Sequence, residues 1–322
     1  MDKITGKNSN RKFKLGMHSY TLHLSGYGES WGFQGEGKTY AFEKAGSLID
    51  LMDLAKKEHI EVLHITLVDL DNDTSPEHLA MVKKEAEKRG LDLELNISFD
   101  APSDPRVNST IEESLEIAHA MGAKLVKYST DIRHSRPFTH ACMSPEAMEQ
   151  MSRVVMEFQK NIPTIEKYGL KIAIENHCDL FADEVVWMVK KLNHPQIGAC
   201  CDTINSLILG EGIAECVKKM APYCYCVHFC DNKIFADPDG THSLGCAIGD
   251  GDVDVVEIMK ILRAEAPEEL DTIDLEIELP LSGYSLEEGR QKELEGMRKS
   301  IKFMREVLKL SLIHISEPTR RS

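Results

Sequence analysis

Apolar positions along this chain alternate between two rhythms. Short runs rich in β-branched residues fall at Phe13–His18, Glu61–Leu67, Asp92–Ser98, Lys124–Ser129, Lys171–Glu175, Gln196–Cys201, Tyr223–Phe229 and Thr272–Glu278. Each has the length of a buried strand. Between them lie stretches with the 3.6-residue period of amphipathic helices, among them Lys44–Lys57, Pro76–Arg89, Thr110–Met121, Pro145–Tyr168, Asp183–Leu192, Val253–Ala264 and Leu286–Leu308. Ser144-Pro145-Glu146 has the chemistry of a helix start: a capping hydroxyl, a proline at the first turn and an acid beside it.

Eight strand–helix units without a shift in composition predict one α/β domain, a closed parallel (β/α)8 barrel over residues 11–310. The competing fold is an open doubly wound sheet. That fold calls for a glycine-rich phosphate loop after the first strand, and Gly16-Met17-His18-Ser19-Tyr20 is not one. Residues 1–10 are expected to form a flexible lead-in. The tail Ser311–Ser322 (SLIHISEPTRRS) resembles translated sequencing-adapter sequence, so we expect it to be non-native and give it no functional role.

Composition narrows the function classes. The chain has 322 residues, 42% of them hydrophobic, enough for one large barrel core. With 53 acidic against 38 basic residues its net charge is −15, a surface that repels phosphate backbones and argues against a nucleic-acid partner. No apolar run approaches the roughly 20 residues of a bilayer span. The segment Met1–Lys14 lacks the apolar stretch of a secretory signal. We therefore expect a cytoplasmic protein without membrane contact. Its nine cysteines form no C-x-x-C pair and read as small core residues of a reduced compartment.

Barrel enzymes carry their chemistry at the C-terminal ends of the strands. The last four strands each end in a metal-competent side chain: Glu175, Asp202, His228, and either Glu276 or Glu278. Any one of these alone is more simply a helix cap, an ion-pair partner or a core histidine. Four at equivalent ends of successive strands would be a costly set of buried charges unless they share a cation.

The motifs IAIENH (172–177), CCDTINS (200–206), YCVHFCD (225–231) and GDGDVD (249–254) resemble the sugar phosphate isomerase/epimerase branch of the xylose isomerase-like TIM barrels. The resemblance runs over residues 13–308. It implies that Glu175, Asp202, His228 and Glu276 hold one divalent ion, Mn²⁺ foremost, with Mg²⁺ or Co²⁺ as alternatives. The oxygen-rich donor set agrees with hard to borderline cations. Glu276 is preferred because the family ends this strand with Ile/Val-Glu, as Leu275-Glu276 does; Glu278, on the same face by strand alternation, is the fallback. Asp231 and Lys233 stand where the family often has a His-x-Lys-Asp run. Here Cys230 replaces that lysine, and the arginine that ketose 3-epimerases use nearby is absent. Lys233 remains a candidate substrate contact.

Further candidates lie on the strand ends and loops. His177, two residues after Glu175, is placed for substrate contact or for orienting the metal glutamate. His18 closes the first strand and His64 lies within the second; each is either a core histidine or a substrate contact. In the segment GYGESWGF (26–33), Trp31 offers a face for stacking on a sugar or planar ring. The loop Arg133–His140 after the fourth strand carries His134, Arg136 and His140, of which His140 is the candidate general base.

The ligand set implies proton removal from a carbon beside a carbonyl, with the metal stabilising the enediolate oxygens. In ketose 3-epimerases the two metal glutamates, here Glu175 and Glu276, act as the acid/base pair. The large subunits of C-glycoside deglycosidases instead deprotonate a 3-oxo-glycoside and cleave a C–C bond. The aromatic first loop and the histidine-bearing fourth loop resemble this group most. It implies a carbohydrate or glycoside substrate, a small β-rich companion subunit and an oligomeric assembly. An epimerase, sugar isomerase or inosose dehydratase is the alternative. An abasic-site endonuclease with three zincs and a basic surface fits poorly with the acidic charge.

Overall fold

The computed structural model describes residues 11–30, 42–101, 104–134, 141–238, 240–281 and 283–310. The expected lead-in over 1–10 and the tail over 311–322 lie outside them. In chain order the elements are β1 (Lys14–His18), α1 (Leu48–Lys57), β2 (Val62–Thr66), α2 (Pro76–Arg89), β3 (Asp92–Ser98), α3 (Ile111–Met121), β4 (Leu125–Ser129) and α4 (Pro145–Tyr168). There follow β5 (Lys171–Glu175), α5 (Ala182–Leu192), β6 (Ile197–Asp202), α6 (Ile213–Met220), β7 (Cys224–Phe229), β8 (Asn232–Asp237), β9 (Gly240–Gly245), α7 (Val255–Glu265), β10 (Thr272–Leu275) and α8 (Leu286–Glu306). Strands β1, β2, β3, β4, β5, β6, β7 and β10 close into a parallel barrel, β10 pairing with both β7 and β1. The expected (β/α)8 barrel is the fold.

Strand alternation sorts the side chains into two layers. Leu15, Leu63, Leu95, Val126, Ile172, Val227 and Ile273 join the main apolar core between strands and helices. The residues between them point into the barrel. There a separate small apolar cluster, Leu125, Ala173, Cys200 and Cys226, shares the interior with buried His64, Glu94, Lys127 and Asp274. Branched aliphatic side chains usually fill that space. The polar interior is the feature that positions the chemistry.

Several boundaries differ from the sequence reading for local reasons. Helix α1 starts at Leu48 rather than Lys44, because Ser47 and Asp50 form a reciprocal capping box there. The eighth barrel strand stops at Leu275 rather than Glu278: the Thr21 hydroxyl donates to Leu275 O and takes the Ile277 N–H, so the segment after β1 replaces the ladder. The β8–β9 hairpin was not foreseen. It pairs antiparallel from Asn232–Gly245 to Asp237–Gly240. All nine cysteines are free, seven of them buried, as expected of core residues. Among the described residues no helix is long and apolar enough to cross a membrane.

Candidate active site

Polar side chains in the motifs staple the strand ends that carry the ionisable groups. The Asn176 side chain accepts from Asp202 N (2.8 Å) and donates to Asp202 O (3.0 Å), tying β5 to β6. The Thr203 hydroxyl takes the Cys230 N–H (2.9 Å) and donates to Cys230 O (3.2 Å), tying β6 to β7. Asp231 has a structural role. Its carboxylate accepts from the N–H groups of Gly249 (2.8 Å), Gly251 (3.0 Å) and Val253 (3.3 Å), which fixes the GDGDVD segment against the end of β7. A β-carbon at Gly251 would lie 2.0 Å from Asp231 Oδ1, so glycine is required there.

These staples bring the four expected groups together. His228 Nδ1 lies 2.9 Å from Glu175 Oε1 and 2.9 Å from Glu276 Oε2. Donor atoms of Glu175, Asp202 and His228 lie within 4.8 Å of one another. Asp202 Oδ1 is taken by the N–H groups of Ile204 (2.7 Å) and Asn205 (2.8 Å), leaving Oδ2 beside Cys230 Sγ at 3.7 Å. Although buried, both His228 nitrogens and Glu276 Oε2 lack a hydrogen bond of acceptable geometry. An imidazole nitrogen converging on two carboxylate oxygens without hydrogen-bond geometry is an arrangement that a cation between them would hold. Burial, then the charges of Glu276 and Glu175, raises Asp202 to about 7. The donor set therefore fits a divalent ion.

Lys127, on β4, was missed by the sequence reading. Its Nζ donates to Glu175 Oε2 (2.6 Å) and Ser129 Oγ (2.9 Å), and Ser129 Oγ donates to the same glutamate oxygen (2.9 Å). Burial alone would raise Glu175; the Lys127 and His228 charges outweigh it and hold the carboxylate well below its usual range. Glu29, also missed, lines the same cavity, and both its oxygens accept from Asn96 Nδ2 at 3.2 Å. Lys127 and Ser129 recur at the two-residue spacing of one strand face, as do Glu94, Asn96 and Ser98 on β3. That polar period was the signal available in the sequence.

The cavity at the C-terminal ends of the strands is lined by the expected His18, His177, Glu175, Asp202, His228 and both glutamates after β10. Glu276 is the one beside His228, while Glu278 accepts from the Tyr20 hydroxyl at 3.1 Å. His18 Nδ1 accepts from Tyr20 N (3.2 Å), and burial drives its pKa well below the usual value. His177 is pushed down by burial and up by Glu175, with a net rise.

Two expected substrate contacts are placed elsewhere. His64 is fully buried beneath the cavity, its ring 5.0 Å from that of His18 and 5.1 Å from that of His228, because its position on β2 is a step deeper than the strand ends. Lys233 is exposed on the β8–β9 hairpin, which carries it away from the cavity lining. His134 is anchored to Glu184 at 3.0 Å, at the start of α5. Trp31, Arg136 and His140 lie outside the described residues.

Similarity to known proteins follows the fold. The Escherichia coli (strain K12) protein YihM, itself uncharacterized, is 25% identical over 209 residues, or 63% of this chain. That alignment spans 59% of YihM, less than two-thirds of its length. The solved IOLI protein with a bound zinc atom has a TM-score of 0.60 at 17% identity, covering 90% of this chain and 98% of its own. D-Psicose 3-epimerase from Clostridium cellulolyticum H10, solved with D-tagatose, has a TM-score of 0.60 at 14% identity, covering 92% and 99%. Residues 58–307 match the family described as xylose isomerase-like TIM barrel, and the chain belongs to that family.

Proposed function

We propose that this barrel is a divalent-metal-dependent enzyme that moves a proton at a carbon beside the keto group of a carbohydrate. The observation that carries this reading is the convergence of Glu175 Oε1 and Glu276 Oε2 on His228 Nδ1, each at 2.9 Å. Glu175, Asp202, His228 and Glu276 would hold the ion, Mn²⁺ in our reading. When bound, it supplies Lewis-acid polarisation of a substrate carbonyl. The zinc-bound and sugar-bound relatives named above support a metal and a carbohydrate.

The two glutamates are not equivalent. Glu175 Oε2 is occupied by Lys127 and Ser129, which fixes that side chain and keeps it ionised. Its task is to bind and orient. Glu276 Oε2 has no hydrogen-bond donor, and its side chain is 15% exposed toward the cavity. Glu276 is free to take a proton. His177 on the cavity wall is the group that can return one, since an imidazole titrates in the working range.

This asymmetry favours one-sided chemistry, an elimination or bond cleavage, over the two-glutamate exchange of a ketose 3-epimerase. Within that class we adopt the C–C bond cleavage of 3-oxo-C-glycosides that the sequence resemblance implies. In that reading His140, rather than Glu276, would take the proton, Trp31 would be the aglycone platform, and a small β-rich subunit would be the companion. The test is incubation of the Mn²⁺-loaded protein in D₂O, together with the small companion subunit, with a flavonoid 3-oxo-C-glucoside and, separately and as this chain alone, with a free ketohexose. Aglycone release is the expected outcome. Brisk epimerisation of the ketose by this chain alone would replace the lyase reading with the epimerase one. No exchange or turnover of either substrate, with or without Mn²⁺, would end both.

A further inference from the structure

Below the cavity, deeper in the barrel, a second group of ionisable side chains has no role in the chemistry above. His64 on β2, Glu94 on β3, Cys226 on β7 and Asp274 on β10 are all buried, and one ligand atom from each lies within 4.8 Å of all the others. His64 Nδ1 stands 3.5 Å from Glu94 Oε2 and 3.9 Å from Asp274 Oδ2, while Cys226 Sγ stands 3.6 Å from that same aspartate oxygen. A tetrahedral ion with bonds of about 2.0 Å to N and O and about 2.3 Å to S sets its ligand atoms about 3.3–3.6 Å apart. The 3.5 and 3.6 Å separations fall in that range, and the 3.9 Å one between His64 and Asp274 is slightly longer.

The hydrogen bonding points the same way. Both nitrogens of His64 lack a partner, although the side chain is fully buried, and so do Glu94 Oε2 and Asp274 Oδ1. Orphaned buried polar atoms cost about 1–3 kcal/mol each. A shared proton between the two acids would leave the imidazole unsatisfied; a cation among the four engages it.

The surroundings also leave room for the group. Gly16 on β1 is in register with Asp274, and a β-carbon there would lie 1.9 Å from Asp274 Oδ1. Glu94 lines a second cavity of about 400 Å³ at the N-terminal ends of the strands, which gives an access route from the opposite face of the barrel. Three of the cations bordering that cavity are engaged elsewhere: Lys14 and Lys124 with Asp92 at 2.9 and 2.5 Å, Lys171 with Glu269 O at 2.6 Å.

We infer that His64, Glu94, Cys226 and Asp274 form a second metal site, a closed tetrahedral one inside the barrel, suited by its S, N, O, O donors to Zn²⁺. Four protein ligands, none of them lining the upper cavity, make it structural rather than catalytic. It joins β2, β3, β7 and β10 across the barrel, and it stands independently of the proposed function.

The experiment loads metal-free protein with Co²⁺, removes the excess, and reads metal per chain together with the near-ultraviolet thiolate-to-cobalt absorption. Wild type should retain two ions and show that absorption. The Glu175→Gln/Asp202→Asn variant should keep one ion and the full absorption. Cys226→Ser should lose the absorption, and Cys230→Ser, near the upper site, should keep it. Circular dichroism checks that each variant is folded. One ion in wild type without thiolate absorption, or an absorption that survives Cys226→Ser, overturns the inference. If instead wild type holds one ion, with absorption that depends on Cys226 and is untouched by the Glu175/Asp202 change, this site stands and the upper one fails. Should the double variant not fold, the two cysteine variants alone decide the matter.

Discussion

Lys127 Nζ lies 2.6 Å from Glu175 Oε2, with each side chain only 2% exposed. Such a pair is costly to break from one side, because the remaining charge is left buried without a partner. Lys127→Met should therefore cost about 3–5 kcal/mol in urea unfolding. Adding Glu175→Gln to that variant should recover much of the loss, since the stranded carboxylate is then gone. A single variant as stable as wild type would mean that the pair is not formed.

The same lysine marks where sequence reasoning ran short. Glu175, Asp202, His228 and Glu276 were legible because each interrupts an apolar strand at its end, where barrel chemistry sits. Lys127 and Glu94 lie in the middle of strands whose alternate residues are apolar, and a polar residue there reads as an ordinary solvent face. Only closure of the barrel turns that face inward. The β8–β9 hairpin had a turn signal in Pro238-Asp239-Gly240; it was passed over because it breaks the strand–helix alternation. His64 lies below the cavity and Lys233 on the hairpin beside it, for two reasons: barrel depth for the first, the unforeseen hairpin for the second. Sequence gives strand membership, but register sets depth along the barrel axis.

Glu293 on α8 lies away from both proposed metal sites and should make stability depend on pH. Its carboxyl is fully buried and accepts from Leu24 N (2.6 Å) and Ser25 N (3.1 Å). Burial raises it to about 8, the Leu24 and Ser25 bonds opposing that rise only in part. With the folded value above the unfolded one, the native state binds the proton more tightly. The stability it contributes is complete below the usual carboxylate range and is lost as pH rises toward 8. Glu293→Gln should match wild type near about pH 5 and exceed it near about pH 9 by on the order of a few kcal/mol. Parallel stability curves for the two proteins would contradict this.

Asp231 should prove a structural residue despite its place beside the strand-seven motif. Replacing it with alanine strands the N–H groups of Gly249, Gly251 and Val253, at a cost on the order of 3 kcal/mol. Gly251→Ala should destabilise comparably, because its new methyl group overlaps the Asp231 carboxylate. Thermal melts read both effects. Unchanged melting of the two variants would show that the loop is held by other contacts.

Asn176 tests the proposed upper metal site without touching a proposed ligand. Its side chain brackets the backbone of Asp202 at 2.8 and 3.0 Å, so it sets the position from which Asp202 would reach the ion. Changes to groups that orient ligands usually weaken metal binding about 10–100-fold, and Asn176→Ala should do the same for Mn²⁺. Mn²⁺ is the informative ion because it suits the oxygen-rich upper set better than the sulfur-bearing lower one. In wild type, Mn²⁺ at about 100 times its dissociation constant should stabilise the fold by about 2.7 kcal/mol. At the same concentration a 100-fold weaker site would contribute about 0.4 kcal/mol. Melting curves of metal-free protein titrated with Mn²⁺ therefore separate the two cases. Equal Mn²⁺-induced shifts in wild type and Asn176→Ala would show that Asp202 takes no part in holding the ion.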